Sequence, residues 1–342
     1  MKKIIIRCIT DQNKGFGNLS RCITIADKLK TFQINSHFII DDNEDARKKL
    51  KKKFSFTTIK TQNLNKNKIF IKNLMYKENS NVLLIDMREF GEKLSKLFLN
   101  DTVQTILIDD AWGKNAFADL LFNGTVIKKY HNYKKINKES QLFLGSDYWI
   151  ANENFKKSQK LLSSIKDKKN YKILISMGGS DPDCLTKKII ESIENIKNIS
   201  VSVVIGPFFS KQSKNLKFVQ KNNIKLIHSP VNIWKYFNKS DISIIASGST
   251  LFEMAIQGLP TICVVAFEHQ MPYAKFFEKN QACKNLGYWK KSSPKQLNSI
   301  LQELLSSKEK RKNMHKNSKN LVDGKGTLRV AKIIADFVKK TS

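Results

Sequence analysis

Three stretches of this chain hold residues whose types and spacing suit the binding of phosphate and sugar. The first is Gly15-Phe16-Gly17-Asn18-Leu19-Ser20-Arg21, between the first apolar run and the first amphipathic stretch. Two glycines allow a tight turn and a close approach of backbone to ligand, and a helix that follows offers free N–H groups to an anion. A plain strand-to-helix turn would read the same, because G-x-G-x-x-G is not completed. The second is Ser176-Met177-Gly178-Gly179-Ser180-Asp181-Pro182, directly after an apolar run. Ser180 or Asp181 can cap a helix and Pro182 fits its first turn. Capping leaves the two glycines unexplained, and a ligand at the carboxyl end of a parallel strand explains them. The third is Ala246-Ser247-Gly248-Ser249-Thr250-Leu251-Phe252-Glu253. Ser249, Thr250 and the backbone amides can grip a diphosphate, and Glu253 can accept two hydrogen bonds from a ribose diol. The competing reading is a Ser/Thr helix cap with Glu253 closing a capping box.

Fewer signals surround the remaining candidates. His269-Gln270 follows the run Thr261–Ala266, and Asp109-Asp110-Ala111-Trp112 ends another. The pair of aspartates could bind a cation, but a strand-end turn is the favoured reading. His37, His131, His228 and His315 show no ligand spacing, so no metal site and no cofactor is expected. There is no Gly-x-Ser-x-Gly elbow and no Walker loop.

The elements that position these residues follow from the apolar runs. Strands are expected at Ile4–Ile9, His37–Ile40, Phe54–Ile59, Val82–Asp86, Thr105–Asp109, Asp119–Phe122 and Leu142–Gly145. A second series is expected at Lys172–Ser176, Val201–Gly206, Lys225–His228, Ile242–Ala246 and Thr261–Ala266. Helices are expected at Leu19–Lys30, Pro182–Ile193, Ile233–Asn238, Leu251–Gln257, Met271–Lys279, Pro294–Ser306 and Leu328–Lys339. Nearly continuous apolar strands separated by helices imply parallel sheets covered on both faces. The reading is α/β: two Rossmann-like doubly wound domains with a cleft between them, at 1–155 and 171–342. The Lys- and Ser-rich stretch 156–170 is the expected linker. Periodicity leaves open a return of the last helix to the first domain.

Composition narrows the function classes. The 342 residues carry 61 Lys+Arg against 30 Asp+Glu, a formal charge of +31. Six of the 61 basic residues are Arg (Arg7, Arg21, Arg47, Arg88, Arg311, Arg329) and 55 are Lys. Arg is favoured for bidentate phosphate and base contacts, so specific nucleic-acid recognition is not expected. Weak association with an anionic membrane surface stays open, because Lys acts there as a point charge. The five cysteines include no C-x-x-C pair and read as reduced core residues of a cytoplasmic protein. No apolar run approaches ~18 residues, and the apolar part of the N-terminus is short for a signal peptide and is interrupted by Arg7.

Taken together, Arg7 with Gly15-Phe16-Gly17-x-x-x-Arg21, Asn123, Tyr148 with Phe155, Met177-Gly178-Gly179-Ser180-Asp181, Ser247-x-Ser249-x-x-x-Glu253 and Gln270 resemble the UDP-sugar hydrolase of pseudaminic acid biosynthesis. That family is grouped with spore-coat polysaccharide proteins predicted to be glycosyltransferases. More distantly the chain is similar to the N-acetylglucosaminyltransferase of peptidoglycan synthesis. The resemblance covers nearly the whole chain. It implies a GT-B fold, with UDP held mainly by Gly178, Gly179, Ser180, Asp181, Ser247, Gly248, Ser249, Thr250 and Glu253. It also implies a sugar facing Gly15, Gly17, Arg21, Asn123, Tyr148 and Gln270.

The departures concern acid–base chemistry. The family motif carries His, its presumed general base, where this chain has Asn18. A neutral amide can orient but cannot deprotonate. Arg88 stands where the hydrolase tends to have an aromatic hydroxyl, and it counts with the expected substrate contacts. Asp11 and His269 are the candidates for a relocated base. The expectation is an enzyme that breaks the bond between a sugar and UDP, by water or by an acceptor hydroxyl. A non-catalytic nucleotide-sugar or nucleic-acid binder is the remaining alternative.

Overall fold

The computed structural model describes residues 2–10, 17–60, 63–110, 113–181, 183–210, 223–289 and 294–340. The chain divides into two compact units: Met1–Asn152 with Gly324–Ser342, and Glu153–Asp323.

The first unit is built from β1 (Lys2–Cys8), α1 (Gly17–Lys30), β2 (Ile34–Asp41), α2 (Glu44–Leu50), β3 (Ser55–Ile59), α3 (Leu64–Lys77), β4 (Val82–Asp86) and α4 (Gly91–Leu97). It continues through β5 (Gln104–Ile108), β6 (Asn115–Ala116), β7 (Leu120–Asn123), β8 (Lys134–Lys135) and β9 (Gln141–Leu144). Its main sheet has seven strands in the order β3-β2-β1-β4-β5-β7-β9, and every pairing is parallel. Strands such as β4, buried at every position and apolar up to Asp86 at its end, read as nearly continuous apolar runs because both faces are covered.

The second unit runs α5 (Glu153–Lys157), β10 (Tyr171–Ser176), α6 (Leu185–Ile193), β11 (Ile199–Ile205), β12 (Ile224–His228), α7 (Ile233–Lys239), β13 (Ile242–Ala246) and α8 (Ser249–Gln257). It ends with β14 (Thr261–Val265), α9 (Met271–Lys279), β15 (Lys284–Tyr288), α10 (Pro294–Ser306) and α11 (Lys308–Leu321). Its six strands are parallel in the order β12-β11-β10-β13-β14-β15. Ile173, Ile175, Val203, Ile244 and Val264 of the sheet close one core with Ile189 of α6 and Leu297 and Leu301 of α10.

Residues 156–170, expected as a linker, belong to the second unit. The Lys160 amide donates to the Gln257 carbonyl at 2.9 Å, and Lys168 pairs with Asp241 at 2.6 Å. The last helix, α12 (Gly326–Lys340), lies in the first unit. It buries Val330, Ala331, Ile334, Ala335 and Val338, and Thr327 exchanges hydrogen bonds with Ala151.

Both sheets share one topological feature. The strand order reverses between β1 and β4 in the first unit and between β10 and β13 in the second. Crevices for ligands in open parallel sheets form at the carboxyl ends of the strands, at such reversals. Cys8 lies opposite Asp86, and Ser176 opposite Ile245, so β1 and β10 end at these points.

Candidate active site

In the second unit, the loop after β10 and the start of α8 flank the reversal. Gly178 has φ +81°, and Gly206 packs against the carbonyls of Gly178 and Gly179 so closely that a Cβ on it would come within 2.4–2.5 Å of their oxygens. The Phe208 amide donates to the Gly179 carbonyl at 2.9 Å. Gly206 and Phe208 therefore hold the loop shape, a role that nothing in their sequence setting announces. Ser180 is half-buried and Gly179 exposed. Asp181 is fully buried, with φ +45°. Its Oδ1 accepts the Leu185 amide at 2.8 Å and its Oδ2 the Thr186 amide at 3.2 Å. Asp181 thus serves the first turn of α6 rather than presenting its carboxylate to a ligand. Burial raises its pKa, while the hydrogen bonds from Thr186 and Leu185 oppose the rise. Pro182 lies outside the described residues.

Ser247 is likewise turned inward. It is fully buried, and its Oγ donates to the Val264 carbonyl at 3.0 Å, which ties β13 to β14. What remains open is the start of α8. Its N-cap is Gly248, which supplies no side-chain bond, and the Ser249 and Thr250 side chains make none among the described residues. The capping box does not form. The Leu251 amide donates to the Gly248 carbonyl at 3.0 Å, whereas the Ser249 and Thr250 amides keep their hydrogen-bonding capacity, and the positive end of the helix dipole adds to it. One turn in, Glu253 is half-buried and its carboxylate has no hydrogen bond or ion pair among the described residues. Burial alone pushes its pKa up to about 8. A buried carboxylate without a partner is costly, so this group is poised for donors that arrive with a ligand.

Gln270 is buried, and its Oε1 accepts the Ala266 amide at 3.0 Å. Its Nε2 lies next to Gly248, so the residue joins the end of β14 to the start of α8. His269 is exposed and its ring stacks on that of Phe267 at 5.7 Å between centroids.

In the first unit, the carboxyl end of β4 meets the N-terminus of α1. Asp86 is fully buried and collects four donors. Asn18 Nδ2 approaches at 2.6 Å, Arg21 Nε at 2.9 Å, an Arg21 terminal nitrogen at 2.7 Å and Cys22 Sγ at 3.5 Å. Arg21 also pairs with Asp110 at 2.6 Å. Burial works to lower the Arg21 pKa, but the charges of Asp110 and Asp86 outweigh it and hold the pKa well above its ordinary value. On the other side of the Asn18 amide, Oδ1 accepts from Arg88 Nε at 3.2 Å. The amide orientation is thereby dictated, since only NH₂ can meet the carboxylate and only oxygen the guanidinium. Arg88 holds φ +49°, a backbone conformation uncommon for residues other than glycine and frequent at functional sites.

Of two expected sugar contacts on this side, Asn123 is internal and Tyr148 is half-buried. Asn123 is fully buried: its Nδ2 donates to Asp110 O, Tyr130 O and the Tyr133 hydroxyl, and its Oδ1 accepts twice from Thr125. Its hydrogen-bonding capacity is spent on the fold. Tyr148 joins the ring cluster of Phe143 and Phe122, at 5.4 and 6.3 Å. Gly17 opens α1 with open space before its Cα, while Asp11, Gly15 and Phe16 lie outside the described residues. Arg7, buried at the end of β1, donates to Asp41, and Asp41 accepts the Thr10 amide at 2.7 Å, just before that stretch. Among the described residues no three His, Cys, Asp or Glu side chains gather as a metal-ligand set. No described helix is long and apolar enough to cross a membrane.

Comparison with known proteins agrees with this architecture. The spore coat polysaccharide biosynthesis protein SpsG of Bacillus subtilis is 24% identical over 332 residues, 96% of both chains. The UDP-2,4-diacetamido-2,4,6-trideoxy-beta-L-altropyranose hydrolase of Campylobacter jejuni is 28% identical over 201 residues, 56% of this chain and 70% of that one. Protein MJ1062 of Methanocaldococcus jannaschii is 29% identical over 277 residues, and the match takes in 78% of this chain but 56% of that protein's length. Among solved structures, MurG of Acinetobacter baumannii superposes with a TM-score of 0.71 at 13% identity, covering 99% of this chain and 100% of that one. The glycosyltransferase family 28 C-terminal domain model matches residues 152–330, more than half of the chain. The chain therefore belongs to the glycosyltransferase family 28 C-terminal domain family and is an enzyme of the GT-B type.

Proposed function

We propose that this protein is a UDP-sugar-processing enzyme of surface polysaccharide or nonulosonic acid biosynthesis, and that it hydrolyses the bond between the sugar and UDP. The observation that carries the reading is the start of α8, where an uncapped N-terminus stands one turn from the unpartnered carboxylate of Glu253. A nucleoside diphosphate satisfies both: phosphate oxygens accept from the helix amides, and the ribose diol donates to Glu253. The loop at Gly178–Ser180 adds a second set of backbone donors. As the sugar–oxygen bond breaks, these donors stabilise the charge growing on the departing diphosphate. Water attacks the anomeric carbon, takes the sugar, and gives up a proton.

Asn18 cannot take that proton. Its two polar atoms are committed to Asp86 and Arg88, and it acts as the link that sets Arg88. The base falls to Asp11 or His269. The second reading, transfer to an acceptor hydroxyl, is favoured by the family 28 match. The five cysteines without a C-x-x-C pair support action in the cytoplasm. Calorimetric titration with UDP and 2′-deoxy-UDP tests the site. Tighter binding of UDP, with the difference lost in Glu253→Ala, is expected. Equal affinity of both nucleotides for both proteins would remove Glu253 from the ribose.

A further inference from the structure

The second unit contains a pocket of about 370 Å³ that the nucleotide reading leaves unused. It lies at the carboxyl ends of β14 and β15, against the first turns of α6, and its size falls within the ~300–1,000 Å³ usual for small-molecule sites. Its floor is apolar: Leu185 belongs to the core under α6, and Ala266 and Trp289 pack on that core. Its rim is charged, with Asp183, Glu268 and Lys188. None of these three side chains has an ion pair or side-chain hydrogen bond among the described residues. The strand that brings Trp289 here is irregular. Pairing of β14 with β15 slips by one residue between Cys263 and Val265, so Tyr288 comes opposite Val265, with Gly287 at φ +74° just before it. Such a bulge re-aims the side chains that follow it.

We propose that this pocket is a pyranose-binding subsite. An aromatic and apolar floor suits the C–H face of a sugar ring. Two uncommitted carboxylates accept from vicinal hydroxyls, as Lys188 donates to a ring substituent. Phosphate is disfavoured, since two carboxylates outnumber one ammonium at the rim. The subsite borders the proposed nucleotide site through Ala266, whose amide is held by Gln270. It rests on the UDP-sugar reading only for which sugar enters: the one carried by UDP or a free acceptor saccharide.

The test uses the full chain, with UDP, UDP-N-acetylglucosamine and N-acetylglucosamine as probes. The variants are Trp289→Ala, Trp289→Phe, and Asp183→Asn with Glu268→Gln. If the donor sugar enters, UDP-N-acetylglucosamine binds wild type more tightly than UDP does. Trp289→Ala then reduces that advantage about five- to tenfold and leaves UDP affinity unchanged. If an acceptor enters, saturation-transfer NMR shows N-acetylglucosamine bound in the presence of saturating UDP, and the signal disappears in Trp289→Ala. In either arm Trp289→Phe keeps most of the effect, and the double variant loses it. The proposal is overturned if Trp289→Ala, with an unchanged melting temperature, leaves both sugar effects intact, or if it weakens UDP as much as the UDP-sugar. Failure of wild type to bind UDP would sink the nucleotide reading, while the free-sugar arm would still decide the pocket.

Discussion

Replacing Glu253 by Gln removes the charge and keeps the shape, and two consequences of opposite sign follow. The wild-type carboxyl, pushed from its ordinary 4.5 up to about 8, is mostly protonated at neutral pH. If the ribose diol donates to the ionised form, apparent UDP affinity climbs toward tenfold per unit between pH 7 and about 8, then levels. Working above pH 7 keeps the ionisation of phosphate, near pH ~6, out of the profile. Glu253→Gln should bind at least tenfold more weakly at pH 8.5, since a charge-assisted hydrogen bond contributes ~1.5–3 kcal/mol, and its profile should be flat. Stability moves the other way. Between the ordinary 4.5 and about 8, the folded state keeps a proton that the unfolded chain releases, so wild-type stability falls as pH rises through that window. The slope limit is ~1.4 kcal/mol per pH unit, and solvent at the half-buried carboxyl leaves about 2–3 kcal/mol in total. Glu253→Gln escapes this loss. It should melt roughly 5–10 °C above wild type at pH 8.5, with the gap closing near pH ~4.5. Calorimetric titration and thermal unfolding at both pH values check the pair. Equal UDP affinity together with a melting gap that ignores pH would refute the reasoning.

Three further outcomes follow from the same geometry. Asn18→His places an imidazole beside Asp86 and Arg88, and with the base at Asp11 or His269 UDP release from a hydrolysed UDP-sugar should change little or fall by crowding. A rise of up to ~10²–10⁴-fold with an acidic limb near pH ~6.5 would contradict a relocated base. Gly206→Ala should displace the Gly178–Gly179 loop, lowering both the melting temperature and UDP affinity, and wild-type values for both would contradict the packing described. Asp181→Ala should lose ~0.5–2 kcal/mol from the capping of α6, with UDP affinity changed little once the protein is folded, as denaturant unfolding and titration can separate.

The sequence showed the core strands plainly where both faces are covered. Val82–Asp86 and Ile242–Ala246 occupy the same residues in sequence and structure, because nearly continuous apolar runs fit strands buried on both faces. Elements with polar inner faces were illegible. Helix α11 buries Arg311, Met314, His315 and Ser318, so its inner stripe contains one apolar residue. Arg311 is satisfied by the carbonyls of Leu304, Leu305 and Lys166 and by Asp167, and only the folded chain assembles those partners. Strand β15, with Gly287 inside and Leu286 as its one buried residue, carries too little pattern to read. At the proposed site, residue type and spacing pointed to loops that follow strands at the reversals of strand order, but could not divide roles within them. Asp181, Ser247 and Asn123 have the types expected of ligand contacts, and each spends its capacity on backbone or neighbouring groups. Asp86 went unassigned because a strand-end aspartate has no local signature. Its importance comes from Asn18 and Arg21, brought to it from 68 and 65 residues away.

The central claim is that this chain breaks a sugar–UDP bond with the diphosphate held at the start of α8. Incubating the pure protein with a panel of UDP-sugars, with and without acceptor saccharides, and following UDP release tests it directly. The account predicts UDP release from at least one donor, strongly reduced in Glu253→Gln, and without any acceptor if water is the nucleophile. No UDP release from any donor, together with no measurable UDP binding by the folded protein, would contradict it.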